Sequence, residues 1–460
     1  MKTLTETSTF RVLSLLLCFC FFIPAMNVSA SSLQADKFKV SGIVKDATGE
    51  PVIGASVVEK GTTNGTVTDL DGNFNLSVAS NSTIVISFIG YSDQEFHISK
   101  DNMVLNVNLK EDTEMIDEVV VVGYGVAEVR ERDLPEVGPY DVLLHMKVCN
   151  ICTTDYGQWL GLREHQGYPM AGGHEAAGIV EQVGEKVTDL KVGDMVATGY
   201  EGCGHCPACR EGHIDQCEEI RNDTEDGYKW GFFGFSNYCV KNSSGVYKVA
   251  NDLNPSEAGF MEPLATVIHG AKKLRLKPFE TVVVIGAGTM GLINAQTAKA
   301  YGCRVIVSEM IPKKIETAKA MGFEVIDCNE SDPVEKVKEL TEGIGADAVI
   351  VAVGATSANS QGLEMLKQND GRMLLFAAGY PVPELKVDSN MLHYRKMELI
   401  GTFGADHEDF KEAAQALSTK VVDVSKLVEE KKFPLSRLQE AYEEASKPGM
   451  YRVSVMLDEE

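Results

Sequence analysis

Between Phe38 and Leu109, apolar and polar residues alternate with a period of two. The runs VSGIV, ASVVEKG, GTVTDL, GNFNLSV, STIVISFIGY and VLNVNL alternate or are rich in β-branched residues, the pattern of half-buried strands. Thr48-Gly49-Glu50-Pro51, Asn64-Gly65 and Asp71-Gly72-Asn73 punctuate them with turn residues. Short strands at this spacing predict an all-β sandwich over residues 37–111. No catalytic constellation lies in it, and His97 reads as a solvated or satisfied side chain.

The period changes further on. TVVVIGAGTMGLINAQTAKAYGCRVIVSE, residues 281–309, reads as strand, glycine turn, helix, strand. ADAVIVAVG and GRMLLFAAG continue the apolar runs of a parallel sheet with crossover helices. Near the C-terminus, Leu438, Ala441 and Ala445 fall at helical spacing and a short apolar strand follows. At the other end, Lys2 and Arg11 precede the uncharged run Val12–Ile23, Pro24 breaks it, and Val28-Ser29-Ala30 offers a small-residue cleavage site. Residues 1–30 are therefore expected to be a secretory signal peptide. The run is too short for a membrane span, and no later stretch reaches ~20 apolar residues.

The glycine turn carries the first chemistry. Gly286, Gly288 and Gly291 form G-x-G-x-x-G directly after an apolar strand. The first glycine allows the tight turn, the second lets backbone approach a pyrophosphate, and the third lets helix and strand pack closely. Met290 sits inside the motif and joins the expected cofactor-binding set. Glu309 closes the second strand, 18 residues after Gly291. A carboxylate there accepts hydrogen bonds from ribose hydroxyls and repels a 2′-phosphate, which favours NAD over NADP. Lys313 and Lys314 stand close enough in sequence to offset part of that repulsion.

The second chemistry is metal binding. Cys203, Cys206, Cys209 and Cys217 give the spacing C-x2-C-x2-C-x7-C. Four thiolates this close can close a tetrahedral shell around a structural zinc. Cys152, the adjacent pair His174-Glu175, and Glu262 are further donors at long range. A closed four-sulfur site beside a mixed Cys/His/Glu site reads as one structural and one catalytic zinc. Cys149 and Cys239 read as plain buried thiols.

Composition narrows the classes. A chain of 460 residues is long enough for about three domains. Its net charge of −24 argues against a nucleic-acid or acidic-membrane partner. Its eleven cysteines do not read as a disulfide framework, since four form the quartet and Cys18 and Cys20 lie in the N-terminal apolar run. Thiolate ligands suit a reducing cytoplasm, whereas the N-terminus points to export into the periplasm or cell envelope.

Two resemblances follow from these motifs. VSGIVKDATGEPVIGASVVEKGT, TDLDGNFNL and ISFIGYSDQEF resemble the carboxypeptidase-regulatory-like domain that opens TonB-dependent outer-membrane transporters. EMIDEVVVVGYG, within 112–125, resembles the partner-binding stretch behind it. No barrel-like run of alternating segments follows. From residue 126 onward the chain instead resembles the zinc-containing medium-chain dehydrogenases of the sorbitol and threonine type. The motifs carrying this are VCNICTTDYGQW, GHEAAGIVEQVGEKVTDLKVGDMVA, the cysteine quartet, FMEPLAT and the glycine turn.

That resemblance implies a multidomain chain: the β-sandwich, a GroES-like β-rich catalytic lobe (126–270), a Rossmann lobe (271–401), and a C-terminal return to the catalytic lobe (402–460). It implies Cys152, His174 and either Glu262 or Glu175 on the catalytic zinc, Asp155 orienting the site, and Thr154 on the substrate hydroxyl. Trp159 would wall the pocket, and Gly354 and Gly379 would lie by the nicotinamide. Gly157 departs from the pattern, because many relatives carry a proton-relaying histidine there. The expected function is hydride transfer between a secondary alcohol or polyol and NAD, in a homo-oligomer. The competing readings are an exported envelope binding module with an inert dehydrogenase segment, and a mis-joined gene. At the junction, Val126–Arg132 is expected to be a strand, with Glu118–Val122 folding back to pair with it.

Overall fold

The computed structural model describes residues 37–458 except 47–48, 53, 63, 70, 89–93, 100–102, 111–125, 131–133, 163–166, 220–231 and 380. The signal-peptide segment and the 112–125 stretch lie outside the described residues. The chain divides into two compact units, one on either side of Val119/Val120.

The first unit is the expected sandwich. Its strands are β1 (Lys37–Lys45), β2 (Ser56–Glu59), β3 (Gly65–Val67), β4 (Asn73–Ala79), β5 (Thr83–Ser87), β6 (Gln94–His97) and β7 (Val104–Asn108). They form one sheet in the order β4-β1-β7 and another in the order β3-β2-β5-β6. Val40, Val44, Phe74, Leu76, Val78, Ile84, Ile86, Leu105 and Val107 fill the single core of the unit. These are the alternate positions of the period-two pattern. Gly42 in β1 is forced: a Cβ there would lie 2.3 Å from the Leu105 carbonyl and 2.7 Å from the Phe74 ring.

The second unit holds two lobes. In the catalytic lobe, β8 (Asp141–Asn150), β9 (Glu175–Val183), β10 (Met195–Thr198), β11 (Tyr238–Asn242), β12 (Val246–Lys248), β19 (Phe433–Pro434) and β20 (Ser454–Met456) share one sheet. Its order is β12-β10-β9-β8-β20-β19, with β11 also on β8. The C-terminal strand β20 pairs antiparallel with β8, Ser454 opposite Asn150, so the chain does return to this lobe. Helices α1 (Thr153–Trp159), α2 (Pro207–Glu211), α3 (Pro255–Ala258) and α4 (Met261–Leu274) follow in sequence. α4 runs straight across the expected boundary at 270/271. Ten of its fourteen residues are buried, so it serves both lobes.

The nucleotide lobe contains β13 (Thr281–Ile285), β14 (Arg304–Glu309), β15 (Glu324–Asp327), β16 (Ala348–Val351), β17 (Arg372–Leu375) and β18 (Glu398–Gly401). All pair in parallel, in the order β15-β14-β13-β16-β17-β18. This is the doubly wound order whose ligand crevice opens at the carboxyl ends of the first and fourth strands, here β13 and β16. The crossover helices are α5 (Thr289–Ala300), α6 (Pro312–Ala320), α7 (Pro333–Leu340), α8 (Thr356–Met365) and α9 (Ser389–Arg395). α10 (His407–Ser418) packs on α4. α11 (Leu438–Ala445) buries Leu438, Ala441, Tyr442 and Ala445, the face read from the sequence plus one tyrosine. Among the described residues no helix is long and apolar enough to cross a membrane.

The junction differs from expectation. Val126–Arg130 form no strand. Val126 and Val129 are 62% and 51% exposed, so the segment has no apolar face to bury in a ladder. It is held instead by the Ala127 N–H, which donates to Gln439 Oε1 at 2.9 Å. The proposed pairing partner, Glu118–Val122, lies outside the described residues.

The two-unit division has a measurable consequence. Phe74→Ala removes a ring that is 2% exposed and should cost the first unit about 3–5 kcal/mol. Calorimetry of the full chain should show one transition moving down and the dehydrogenase transition unmoved. A common shift of both would contradict the division.

Candidate active site and metal centres

The four-cysteine loop begins just after Tyr200, beyond the end of β10, and is built by local geometry. The sulfurs of Cys203, Cys206, Cys209 and Cys217 all lie within 4.8 Å of one another, and none is in a disulfide. Backbone N–H groups point at the sulfurs: Cys203 to Cys217 Sγ at 3.4 Å, Cys206 to Cys203 Sγ at 3.3 Å, and Cys209 to Cys206 Sγ at 3.4 Å. N–H donors favour the thiolate form that a metal needs. Burial, and then the neighbouring thiols, push the Cys209 thiol up. Four sulfurs crowded this way suit a single zinc that replaces their protons. Ile214, 1% exposed, plugs the loop into the main core, and the Asp215 N–H reaches Asp406 Oδ1 at the start of α10 at 3.4 Å.

The second metal-type cluster comes from β9 and the start of α1. Ligand atoms of Cys152, His174 and Glu175 also lie within 4.8 Å of one another. Cys152 is the N-cap of α1, and Asp155 in its first turn accepts the Cys152 N–H at 2.9 Å. The other Asp155 oxygen accepts the Gly173 N–H at 3.3 Å and faces His174 Nδ1 at 3.5 Å. With Nδ1 committed to a carboxylate, Nε2 is the nitrogen left for a metal. Burial disfavours the charged Asp155, yet His174 and the two N–H groups hold its carboxyl below the usual range. Burial alone would depress His174. Asp155 and the Cys152 sulfur instead lift it well above the usual imidazole value, so this point favours positive charge.

Glu175 is not free. Its Oε1 and Oε2 accept Arg452 Nη2 and Nε at 2.6 and 2.7 Å, and the two side chains are 0% and 7% exposed. Arg452 precedes β20 and also reaches Cys152 Sγ at 3.5 Å and Met290 Sδ at 3.6 Å. Glu262, in the first turn of α4 and 5% exposed, stands outside the tight cluster. Its Oε1 accepts the Tyr200 hydroxyl at 2.6 Å. Asp155, Glu175 and Glu262 are all buried carboxyls, of which Glu175 pairs with the buried Arg452 guanidinium, and the donor set of thiol, imidazole and carboxylate matches zinc.

All of these residues open onto one cleft of about 570 Å³ between the lobes, shared with Thr154, Met290, Phe232, Phe376 and Gly354. Gly354 lies against Gly379: a Cβ on Gly354 would fall 2.4 Å from Gly379 Cα. Trp159 does not line the cleft. It stacks on Tyr442 with ring centroids 5.8 Å apart, because α11 covers that face of α1. The apolar wall is formed by Met170, Phe232, Met290 and Phe376 instead.

The glycine turn is formed as expected. Gly286 has φ +97°, and a Cβ on Gly291 would lie 1.9 Å from the Gly286 carbonyl. Glu309 does more than its sequence position suggests. Its Oε2 accepts the Ala287 N–H at 2.7 Å, and its Oε1 accepts those of Met310 and Ile311 at 2.7 and 2.9 Å. The carboxylate thus ties the end of β14 to the turn. Lys313 is drawn away to Glu429 at 2.8 Å. Lys314 Nζ stands 3.8 Å from where a Gly288 Cβ would be, and burial lowers its pKa against the pull of Glu309.

Among the charged and hydrogen-bonding residues of the site, Arg452 and Tyr200 are those that sequence reasoning missed. Neither lies in a motif. Both arrive through long-range pairing, Arg452 from a position 277 residues beyond Glu175 and Tyr200 from the entry to the cysteine loop. The one available signal was the basic residue just before an apolar terminal strand.

Comparison with known proteins gives three family matches. The zinc-binding dehydrogenase family matches residues 289–419, the alcohol dehydrogenase GroES-like domain 138–251, and the CarboxypepD_reg-like domain 40–121. Sorbitol dehydrogenase of Halalkalibacterium halodurans is 30% identical over 333 residues, 70% of this chain and 92% of that protein. L-threonine 3-dehydrogenase of Bacillus subtilis is 30% identical over 331 residues, covering 69% and 91%. A Sinorhizobium meliloti protein described as a zinc-binding dehydrogenase, solved bound to NADP, superposes with a TM-score of 0.64 at 25% identity. That match covers 73% of this chain and 97% of that one.

The buried ion pair can be tested directly. Arg452→Met leaves Glu175 buried without its cation and should destabilise the dehydrogenase unit by about 3–5 kcal/mol, read from urea unfolding. A loss under about 1 kcal/mol would show that the pair is not the anchor its geometry indicates.

Proposed function

The chain belongs, through its second unit, to the zinc-binding alcohol dehydrogenases, and from that premise we propose how its residues divide the work and what they act on. It is a zinc- and nicotinamide-dependent oxidoreductase. The observation that carries the assignment is the cluster of Cys152, His174 and Glu175 in the same cleft as the glycine-turn residue Met290.

Cys152, His174 and Glu175 hold the catalytic zinc. Proximity favours Glu175 over Glu262, and its pair with Arg452 fixes its rotamer while leaving each oxygen a second lone pair. Glu262, held by one hydroxyl, borders the open position. Bound there, zinc would supply Lewis acidity to the substrate oxygen, and a bound nicotinamide would supply the hydride acceptor. Asp155 keeps the tautomer and orientation of His174. Thr154, on α1 at the cleft, hydrogen-bonds the substrate hydroxyl. Phe232 and Phe376 exclude water. Cys203, Cys206, Cys209 and Cys217 hold the structural zinc.

The substrate class is a polyol or secondary alcohol, supported by relatives named for sorbitol, threonine and L-galactonate. Glu309 gives NAD the preference, because its carboxylate sits beside the turn and opposes a 2′-phosphate, with Lys314 close by and Lys313 drawn to Glu429. Export directed by residues 1–30 is our reading of the N-terminal apolar run. Homo-oligomer formation is our reading, with β18 an edge strand of its sheet, as β15 is at the other end.

Purified full-length protein should contain about two zinc ions per chain and reduce NAD with sorbitol or another polyol. Two bound zinc ions with no oxidation of any secondary alcohol would favour the inert-module reading instead. Glu175→Gln should lose about one zinc and all turnover, whereas Glu262→Gln should keep both ions and lose turnover. The reverse pattern of zinc loss would make Glu262 the ligand. Glu309→Gln should narrow the NAD:NADP ratio of kcat/KM by about 10–100-fold, the range for a hydrogen bond to a charged group. A wild-type preference for NADP would contradict the assignment of Glu309.

A further inference from the structure

Tyr200 lies three residues before Cys203, where the chain leaves β10 and enters the cysteine loop. Its ring is held on two sides. It meets Phe410 of α10 edge-on with centroids 5.2 Å apart, and Phe232 at 6.3 Å. So held, its hydroxyl donates to Glu262 Oε1 at 2.6 Å, and both residues line the cleft. Glu262 comes from the first turn of α4, in a different part of the fold. Aromatic packing around Tyr200 therefore fixes an acidic side chain that a two-carbon stem would otherwise leave with several rotamers.

We propose that Tyr200 is a positioning residue for Glu262, holding one carboxylate oxygen so that the group keeps a single orientation at the place where the substrate hydroxyl is received. The inference rests on the reading that Glu262 borders the open metal position. The cysteine loop thereby contributes to the catalytic cleft as well as to stability, through the residue at its entrance.

The test uses full-length wild type, Tyr200→Phe, Glu262→Gln and the double variant, each assayed for zinc content. The probe is trifluoroethanol, an alcohol that gives up hydride poorly, titrated calorimetrically into enzyme saturated with NAD. Tyr200→Phe keeps the ring and its packing, so two zinc ions and an unchanged melting temperature are expected. Trifluoroethanol should bind about tenfold more weakly, the lower end for a hydrogen bond to a charged group. The KM for NAD should not move, while kcat with the best polyol falls by a similar factor. In the Glu262→Gln background, Tyr200→Phe should weaken trifluoroethanol binding no further. Wild-type binding and kcat in Tyr200→Phe, or losses that add in the double variant, would overturn the proposal. So would a wild-type enzyme that carries two zinc ions and binds no alcohol. Wild type lacking the second zinc would instead count against the metal centre itself.

Discussion

Two full charges buried against each other, Glu175 on β9 and Arg452 before β20, hold the centre of the dehydrogenase unit. Neither could be placed there alone, since an unpaired buried charge costs several kcal/mol. Their pairing requires the C-terminal strand to return beside β8, and that return brings Arg452 to the cleft. It also puts a guanidinium 3.5 Å from Cys152 Sγ, beside a site otherwise rich in carboxyls. The C-terminal segment therefore contributes Arg452 to the cleft as well as a strand to its sheet.

The same economy runs through the rest of the cleft. Three polar residues of the cleft are each held by a neighbouring side chain: His174 by Asp155, Glu175 by Arg452, Glu262 by Tyr200. Glu309 in turn ties a strand end to the glycine turn through the Ala287 N–H, while its other oxygen accepts the N–H groups of Met310 and Ile311 just after it. Pre-positioned polar groups in a water-poor cleft favour charge development without reorganisation. The cysteine loop lies outside this shell but touches it through Tyr200, and Asp215 ties the loop to the start of α10.

Much of this was legible in the sequence, for reasons that are local. The period-two runs of residues 38–109 became the sandwich because each alternate apolar residue faces one core. The glycine turn and the cysteine quartet were legible because turn sterics and metal geometry act over short spacings. Cys152 and His174 were reachable through the resemblance, since the fold joins positions far apart in sequence. Arg452 and Tyr200 were not legible: their roles exist only through partners 277 and 62 residues away. Trp159 was misplaced because α11, whose packing face was recognised, covers it with Tyr442. The junction strand failed because two exposed valines give β propensity without a surface to bury.

Anomalous diffraction at the zinc absorption edge, from crystals of the purified full-length protein, tests the central claim most directly. The account predicts two peaks per chain, one among the sulfurs of Cys203, Cys206, Cys209 and Cys217, the other bounded by Cys152, His174 and Glu175. A single peak in the cysteine loop, with Arg452 still bridging Glu175 and Cys152, would contradict it.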